Sequence, residues 1–384
     1  MSNDQSVAPC GLSISDIFRA YGPAYLKKYQ DQMASDQIKA IVSIMRCRTP
    51  EAGSVVYRCN DCSKYHHVPK SCGNRHCPLC QGSKAKAWLE KQLAQLLPCA
   101  YFMLTFTVPA EFRRFVRSHP RDCYKALFQA AKETLFKLAK DPKYIGSSSL
   151  GMTGVLHTWG RDLNYHPHLH FIVPGGAIGE DGKSWLASRV DFLIPVQAAS
   201  IIFRAKYKAI MKRCGLLSEI PDEVWSKEWI VNSKAVGDGR LALRYLAPYV
   251  FRVAISNRRI VKVEPGTDGE GLVTFTVRKS GTSSYKPMTV SAEEFLRRFL
   301  QHVLPSGFQK VRHFGFAHPR AKTNREWLSM LVTVTLNMVY ILTVVAKPMP
   351  VKPLTLRCPE CGGDLVCLGF VASSPHRFND FDTS

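Results

Sequence analysis

Fourteen residues, His157 to His170 (HTWGRDLNYHPHLH), constrain this chain more than any other stretch. In the second half His166, His168 and His170 alternate with Pro167 and Leu169. Side chains two apart on a strand share a face, so the three imidazoles point one way. Leu169, Phe171 and Val173 then point the other way, into a core. His157 lies eleven residues before His168, on a second strand-like run from Gly154 to Trp159. Between the runs, Gly160 to Tyr165 carries Gly, Asp and Asn and reads as a turn. A hairpin here brings His157 beside His168 and His170. Neutral imidazole is a common ligand for divalent metals, and three of them leave coordination positions open for a reaction. Histidines used as polar filler on a half-exposed strand are the plainer reading, which four in fourteen residues argue against.

The second feature is RYLAPYVFRVAISNRRI, about 75 residues on, with Tyr245 and Tyr249 four apart. On a helix that spacing puts both phenols on one face. Pro248 intrudes, removing one helical hydrogen bond and disfavouring helix at Ala247. The helix therefore either kinks, or starts near Pro248 and leaves Tyr245 in the turn before it. Two aromatic core residues at helical spacing would look the same.

Thirteen cysteines stand in a chain whose first nine residues are polar and show no signal peptide. Several form C-x-x-C pairs, which in a cytosolic chain read as metal ligands. Cys59-x-x-Cys62 and Cys77-x-x-Cys80 are separated by fourteen residues, and two such knuckles supply four thiolates for one zinc ion. Cys47, Cys72, His66, His67 and His76 are candidates for a second site, or are packing residues. Cys358-x-x-Cys361 is a further knuckle that only Cys367 or His376 is expected to complete, as half a site.

The histidine and tyrosine clusters together resemble the HUH endonucleases: His-hydrophobe-His on a strand, a third ligand nearby and a nucleophilic tyrosine on a helix. The segments CRT…C..C…SC.NRHCPLCQ, HTWGRDLNYHPHLHF, YLAPYVFRVAISNRRI and FLRRFLQHVLPSGFQKVRHFGF extend the resemblance from about Cys47 to His318. They are similar to the two-tyrosine rolling-circle transposases of the insertion sequence 91 type. The resemblance implies His168 and His170 as metal ligands and Tyr245 and Tyr249 as nucleophiles. His157 as third ligand rests on similarity to three-histidine relaxases; His166 is the alternative, or a group that supports a ligand. It also implies a tyrosine endonuclease and strand transferase that uses Mg²⁺ or Mn²⁺, forms 5′-phosphotyrosine, and keeps Zn²⁺ as a structural metal. Its partners would be single-stranded DNA of transposon ends and target, and a host helicase or replication machinery, since no GxxxxGK[ST] loop is present. A plasmid replication initiator, a relaxase, a non-catalytic zinc DNA-binding protein and a water-using metallohydrolase are the competing readings.

The expected fold is α+β: an HUH-type antiparallel sheet flanked by helices, with an N-terminal zinc-binding module and a C-terminal β/α extension. The partition is a helical arm (1–40), the zinc module with a linker helix (41–97), the nuclease domain (98–260), the extension (261–350) and a tail with the last knuckle (351–384). The net charge, 52 − 30 = +22, points to a polyanionic partner; the resemblance implies the bacterial cytoplasm and nucleoid as the place of action. Trp225, Trp229 and the run Phe308–His318 offer stacking aromatics, but buried aromatics and a basic edge strand are the competing readings. Residues 327–346 are long and apolar enough for a membrane span, yet Asn337, three threonines and a serine dilute them, and a buried helix or strand pair is expected.

Overall fold

The computed structural model describes residues 13–251, 254–266, 270–278, 282, 284–338 and 356–372. The chain folds as two units, one of Met1–Gln81, Ser256–Leu300 and Leu342–Ser384, the other of Gly82–Ile255 and Gln301–Ile341. In chain order, helices α1 (Ile14–Tyr29) and α2 (Ser35–Arg46) precede strands β1 (Ser54–Cys59) and β2 (Tyr65–Pro69). Then come α3 (Gly82–Leu93), β3 (Tyr101–Thr107), α4 (Arg113–Ser118) and α5 (Pro120–Ala139). The histidine hairpin is β4 (Gly151–Trp159) and β5 (Tyr165–Pro174), followed by the short pair β6 (Gly176–Ile178) and β7 (Trp185–Ala187). After these lie α6 (Val196–Arg213), α7 (Glu223–Ser226), β8 (Ile230–Ala235) and α8 (Arg240–Phe251). Strands β9 (Ile260–Glu264), β10 (Leu272–Arg278) and β11 (Tyr285–Ser291) lead into α9 (Ala292–Leu300). The last elements are β12 (Val311–Gly315), α10 (Arg325–Thr335) and β13 (Leu365–Val371).

The second unit is built on a five-stranded antiparallel sheet in the order β12-β4-β5-β3-β8. Its strands alternate between two cores. Phe102, Leu104, Phe106, Leu156, Leu169 and Phe171 pack with α5 and α6 on one face. Tyr101, Val155 and Ile172 pack with Leu243, Leu246 and Val250 of α8 on the other. Both faces are apolar, so every residue of β4 is buried. Gly154 lets the Phe171 ring cross the strand: a Cβ there would sit 2.6 Å from that ring. The turn between β4 and β5 is pinned by the next segment, where Gln301 Nε2 and His302 Nε2 lie 2.8 and 3.0 Å from the Leu163 carbonyl.

In the first unit α1 begins with a capping box: Ser13 Oγ accepts from Asp16 N, and Asp16 accepts from Ser13 N. Its buried face, Ile14, Ile17 and Phe18, shares a core with α2 and α9, and Phe18 meets Phe299 edge-on at 5.0 Å. Strands β11-β10-β9 form one three-stranded sheet and β13-β1-β2 another.

This grouping departs from the linear partition expected above. The sheet that carries the histidines takes its edge strand β12 from beyond residue 300, because β12 pairs with β4 from Val311↔Val155 to Gly315↔Gly151. Likewise β13 pairs with β1, so residues of the expected tail join the zinc module. Phe308–His318 contains that edge strand, with Phe308 buried. Trp225 and Trp229 are buried and stacked at 5.6 Å, leaving neither face for a base. Of residues 327–346, those up to Thr335 continue α10, which buries Leu328 and Val332; 339–346 lie outside the described residues. Among the described residues no helix is long and apolar enough to cross a membrane.

Candidate metal and tyrosine site

On the α8 side of the sheet the apolar alternation gives way to imidazoles at one end. His157 on β4 stands directly opposite His168 on β5 in the ladder, and His170 opposite Thr105 on β3. One nitrogen from each of His157, His168 and His170 lies within 4.8 Å of the others. The ring centroids are 4.6 to 5.4 Å apart. Burial, joined by mutual repulsion, holds His157 and His168 far below the usual histidine range and His170 at about 4. All three are therefore neutral near pH 7, the form that donates a lone pair.

Two contacts orient the rings. His168 Nδ1 donates to the His166 carbonyl at 2.6 Å, and His170 Nδ1 faces Thr105 Oγ1 at 3.1 Å. With hydrogen on Nδ1, each Nε2 is left with its lone pair. His157 Nε2 is buried and has no hydrogen-bond partner. A buried orphan nitrogen costs free energy unless something binds it, so this donor set fits a divalent ion. His166 stays outside the cluster and contributes its carbonyl.

Helix α8 runs through both tyrosines with Pro248 inside it, so Tyr245 belongs to the helix rather than to a preceding turn. Its apolar stripe, Ala242, Leu243, Leu246 and Val250, is pressed onto the sheet. The Tyr249 ring lies 5.6 Å from that of His157. Tyr245 is one turn back, 5.7 Å from Tyr249 and half exposed. The end of the helix is tied down by Lys310, whose ammonium donates to the Tyr249 carbonyl at 2.6 Å. The same ammonium sits 4.5 Å over Trp159, and Trp159 stacks on His157 at 4.7 Å. Thr105, Trp159 and Lys310 were not singled out from sequence. Only the parity of Thr105 with Tyr101 and Met103 on β3 hinted that it faces the histidines.

Protonation opposes this architecture. His302 is wholly buried, with Nε2–H donating to the Leu163 carbonyl and Nδ1 accepting from Thr158 Oγ1 at 3.2 Å. Burial pushes it down to about 3, against 6.5 when exposed. Between those values the unfolded chain binds more protons than the folded one, so stability rises with pH. The contribution is complete above about pH 6.5 and is lost as pH falls toward 3; the three clustered histidines act in the same direction. The urea midpoint, measured without added magnesium or manganese, is expected to be flat above pH 7 and to fall from pH 6.5 to 4. His302→Gln should flatten that slope, and an unchanged slope would reject the assignment.

The cysteines do not group as expected. Cys59, Cys62, Cys77 and Cys80 form no common site. Cys77 and Cys80 join Cys47 and Cys72, while Cys59 and Cys62 join Cys358 and Cys361. The reason is the ladder: β1, which ends at Cys59, pairs with β13, so the knuckle before β13 is brought to the knuckle after β1. Cys358–Cys361 is thus completed by Cys59 and Cys62. Cys367 is exposed on β13, and His376 lies outside the described residues. His66, His67 and His76 are not members of either quartet, but His66 Nε2 lies 3.3 Å from Cys358 Sγ. In the first quartet Cys80 Sγ is 3.2 Å from Cys47 Sγ and 3.6 Å from Cys72 Sγ. The hydrogen bond from Cys77 holds the Cys72 thiol below its ordinary value.

The class of protein is given by comparison with known proteins. Residues 151–325 match the family described as putative transposase, and residues 17–108 match the transposase zinc-binding domain. A putative transposase, y4qJ, of Sinorhizobium fredii is 36% identical over 340 residues, 83% of each chain. The transposase for insertion sequence element IS801 of Pseudomonas savastanoi pv. phaseolicola is 25% identical over 360 residues, 86% of this chain and 83% of that one. No solved structure matches. The chain belongs to the insertion sequence 91 type of transposases; its substrate is DNA, and Zn²⁺ is its structural metal.

Proposed function

We propose that this transposase cuts and rejoins single-stranded DNA at the ends of its element by rolling-circle chemistry, with Tyr249 as first nucleophile. The observation that carries the reading is the Tyr249 ring 5.6 Å from His157, itself one of three clustered neutral imidazoles. His157, His168 and His170 would hold Mg²⁺ or Mn²⁺, which would polarise the scissile phosphate and offset charge developing on it. The phenol oxygen of Tyr249 attacks phosphorus, the bond to the 3′-oxygen breaks, and the phenolic proton is lost to solvent as that oxygen is protonated. The products are a 5′-phosphotyrosine and a free 3′-hydroxyl. The phosphoester bond is kept, so rejoining needs no nucleotide cofactor. Tyr245 performs the second cleavage while the first end is still held. A host helicase or replication fork in the bacterial cytoplasm exposes the strand.

The test is an incubation of labelled single-stranded element ends with Mn²⁺ or Mg²⁺, run on a denaturing gel. Wild type is expected to give a metal-dependent protein–DNA adduct, absent in Tyr249→Phe and retained by Tyr245→Phe in single-end cleavage. Cleavage that persists without adduct in the double variant would make water the nucleophile and end this reading. Thr105→Val keeps the shape of the side chain but removes the hydroxyl facing His170. It is expected to weaken metal affinity about tenfold, read as a shift in the Mn²⁺ concentration for half-maximal cleavage.

A further inference from the structure

We propose that the chain holds two structural zinc ions, and that the second, bound by Cys59, Cys62, Cys358 and Cys361, is what fastens β13 to the zinc module. Half of this site lies outside the zinc-binding domain match, which ends at residue 108.

The sulfurs are spaced for a metal. Cys59 Sγ lies 3.4 Å from Cys361 Sγ, and Cys62 Sγ 3.7 Å from Cys358 Sγ. A disulfide would need about 2.05 Å, whereas four sulfurs ~2.3 Å from one zinc stand roughly 3.8 Å apart. The two knuckles also share one backbone plan. The residue after each second cysteine, Ser63 (φ 56°) and Gly362 (φ 76°), is left-handed. Backbone amides point at the sulfurs in matching fashion: Asp61 and Cys62 at Cys59, Glu360 and Cys361 at Cys358, Lys64 at Cys62, Gly363 at Cys361. Such amides stabilise thiolate, the form that binds zinc.

Among the described residues, side-chain contacts add little to the β1–β13 ladder beyond Lys70, 4.8 Å from the Phe370 ring. Val366, Leu368, Phe370 and Val371 remain 44–72% exposed, so the strand buries little apolar surface. A ladder with few buried side chains is marginal in water. The Lys64–Glu360 pair joining the knuckles is exposed and contributes little. Cys59 and Cys361 are 302 residues apart, so closing the site also bears the entropy of a long loop. A thiolate-bound ion would offset it.

The experiment uses the full chain purified without chelator. Elemental analysis is expected to find two zinc ions per chain, falling to one in Cys361→Ser and to one in Cys77→Ser. Hydrogen exchange should show residues 365–371 protected in wild type and in Cys77→Ser, and exchanging at least tenfold faster in Cys361→Ser. Cys361→His, which restores a ligand, should return both the zinc and the protection. One ion in wild type, two in Cys361→Ser, or unchanged protection of β13 in Cys361→Ser would each overturn the proposal. Should the serine variants prove insoluble, cobalt titration of metal-stripped wild type decides: thiolate-to-cobalt absorption saturating at two equivalents supports two sites, and at one refutes them.

Discussion

His157→Ala is expected to lower metal-dependent cleavage of single-stranded element ends by at least about 10³-fold, about 4 kcal/mol of barrier. His157 is the histidine with a buried, partnerless Nε2, and it faces both His168 across the ladder and the Tyr249 ring. Removing it leaves two imidazoles, too few to hold Mg²⁺ or Mn²⁺ against water. The variant should still fold, because no hydrogen bond of that nitrogen is lost. DNA binding, followed by fluorescence anisotropy, should therefore stay within a few-fold of wild type. His166→Ala is the matched control. His166 serves His168 through its backbone carbonyl, which alanine also supplies, so cleavage should stay within about tenfold. A loss in His166→Ala as large as that in His157→Ala would mean that the His166 side chain serves the cluster as well.

The largest expected loss of stability comes from Gly315→Ala, at the end of β12. Gly315 has φ +58°, and a Cβ there would lie 1.5 Å from the Leu150 carbonyl oxygen. A left-handed alanine costs about 1–2 kcal/mol by itself. Here the obstacle is backbone rather than a side chain that can swing away, which adds roughly 1–3 kcal/mol or more. Unfolding in urea should show a loss of about 2–5 kcal/mol, taking the two terms together. Gly307→Ala isolates the first term: its φ is +72°, but nothing lies within 4 Å of the added atom, so about 1–2 kcal/mol is expected. Equal losses at the two positions would contradict the close approach of β12 to Leu150. Because β12 begins one residue after Lys310, cleavage by Gly315→Ala should fall as well.

The histidine hairpin was legible because its signal is local. A period of two, a turn between the runs and an apolar opposite face all lie within about twenty residues, and the ladder from His157↔His168 follows. The tyrosine helix was legible in spacing, though not whether Pro248 would exclude Tyr245; the stripe Ala242, Leu243, Leu246 and Val250, anchored on the sheet, keeps the helix whole around it. The metal pairing was not legible. A C-x-x-C knuckle carries no mark of its partner, so the nearest one, Cys77–Cys80, was the natural choice; the decision lies in the β1–β13 ladder, whose strands are some three hundred residues apart. Lys310 and Thr105 were hidden for the same reason, each meeting the site through a strand pairing with no counterpart in local sequence.

That long separation has a consequence for how the protein is made. Cys59 and Cys62 leave the ribosome 302 and 296 residues ahead of the sulfurs they end beside. At ~5–20 residues per second, the interval for the longer gap is roughly 15–60 s. Throughout it the early thiols wait without their partners, open to oxidation or to the neighbouring Cys47, Cys72, Cys77 and Cys80 quartet. The quartet of Cys47, Cys72, Cys77 and Cys80 can therefore close while the other still lacks half of its sulfurs, and only occupation of those four thiols, not the order of synthesis, would keep Cys59 and Cys62 from being exchanged with them.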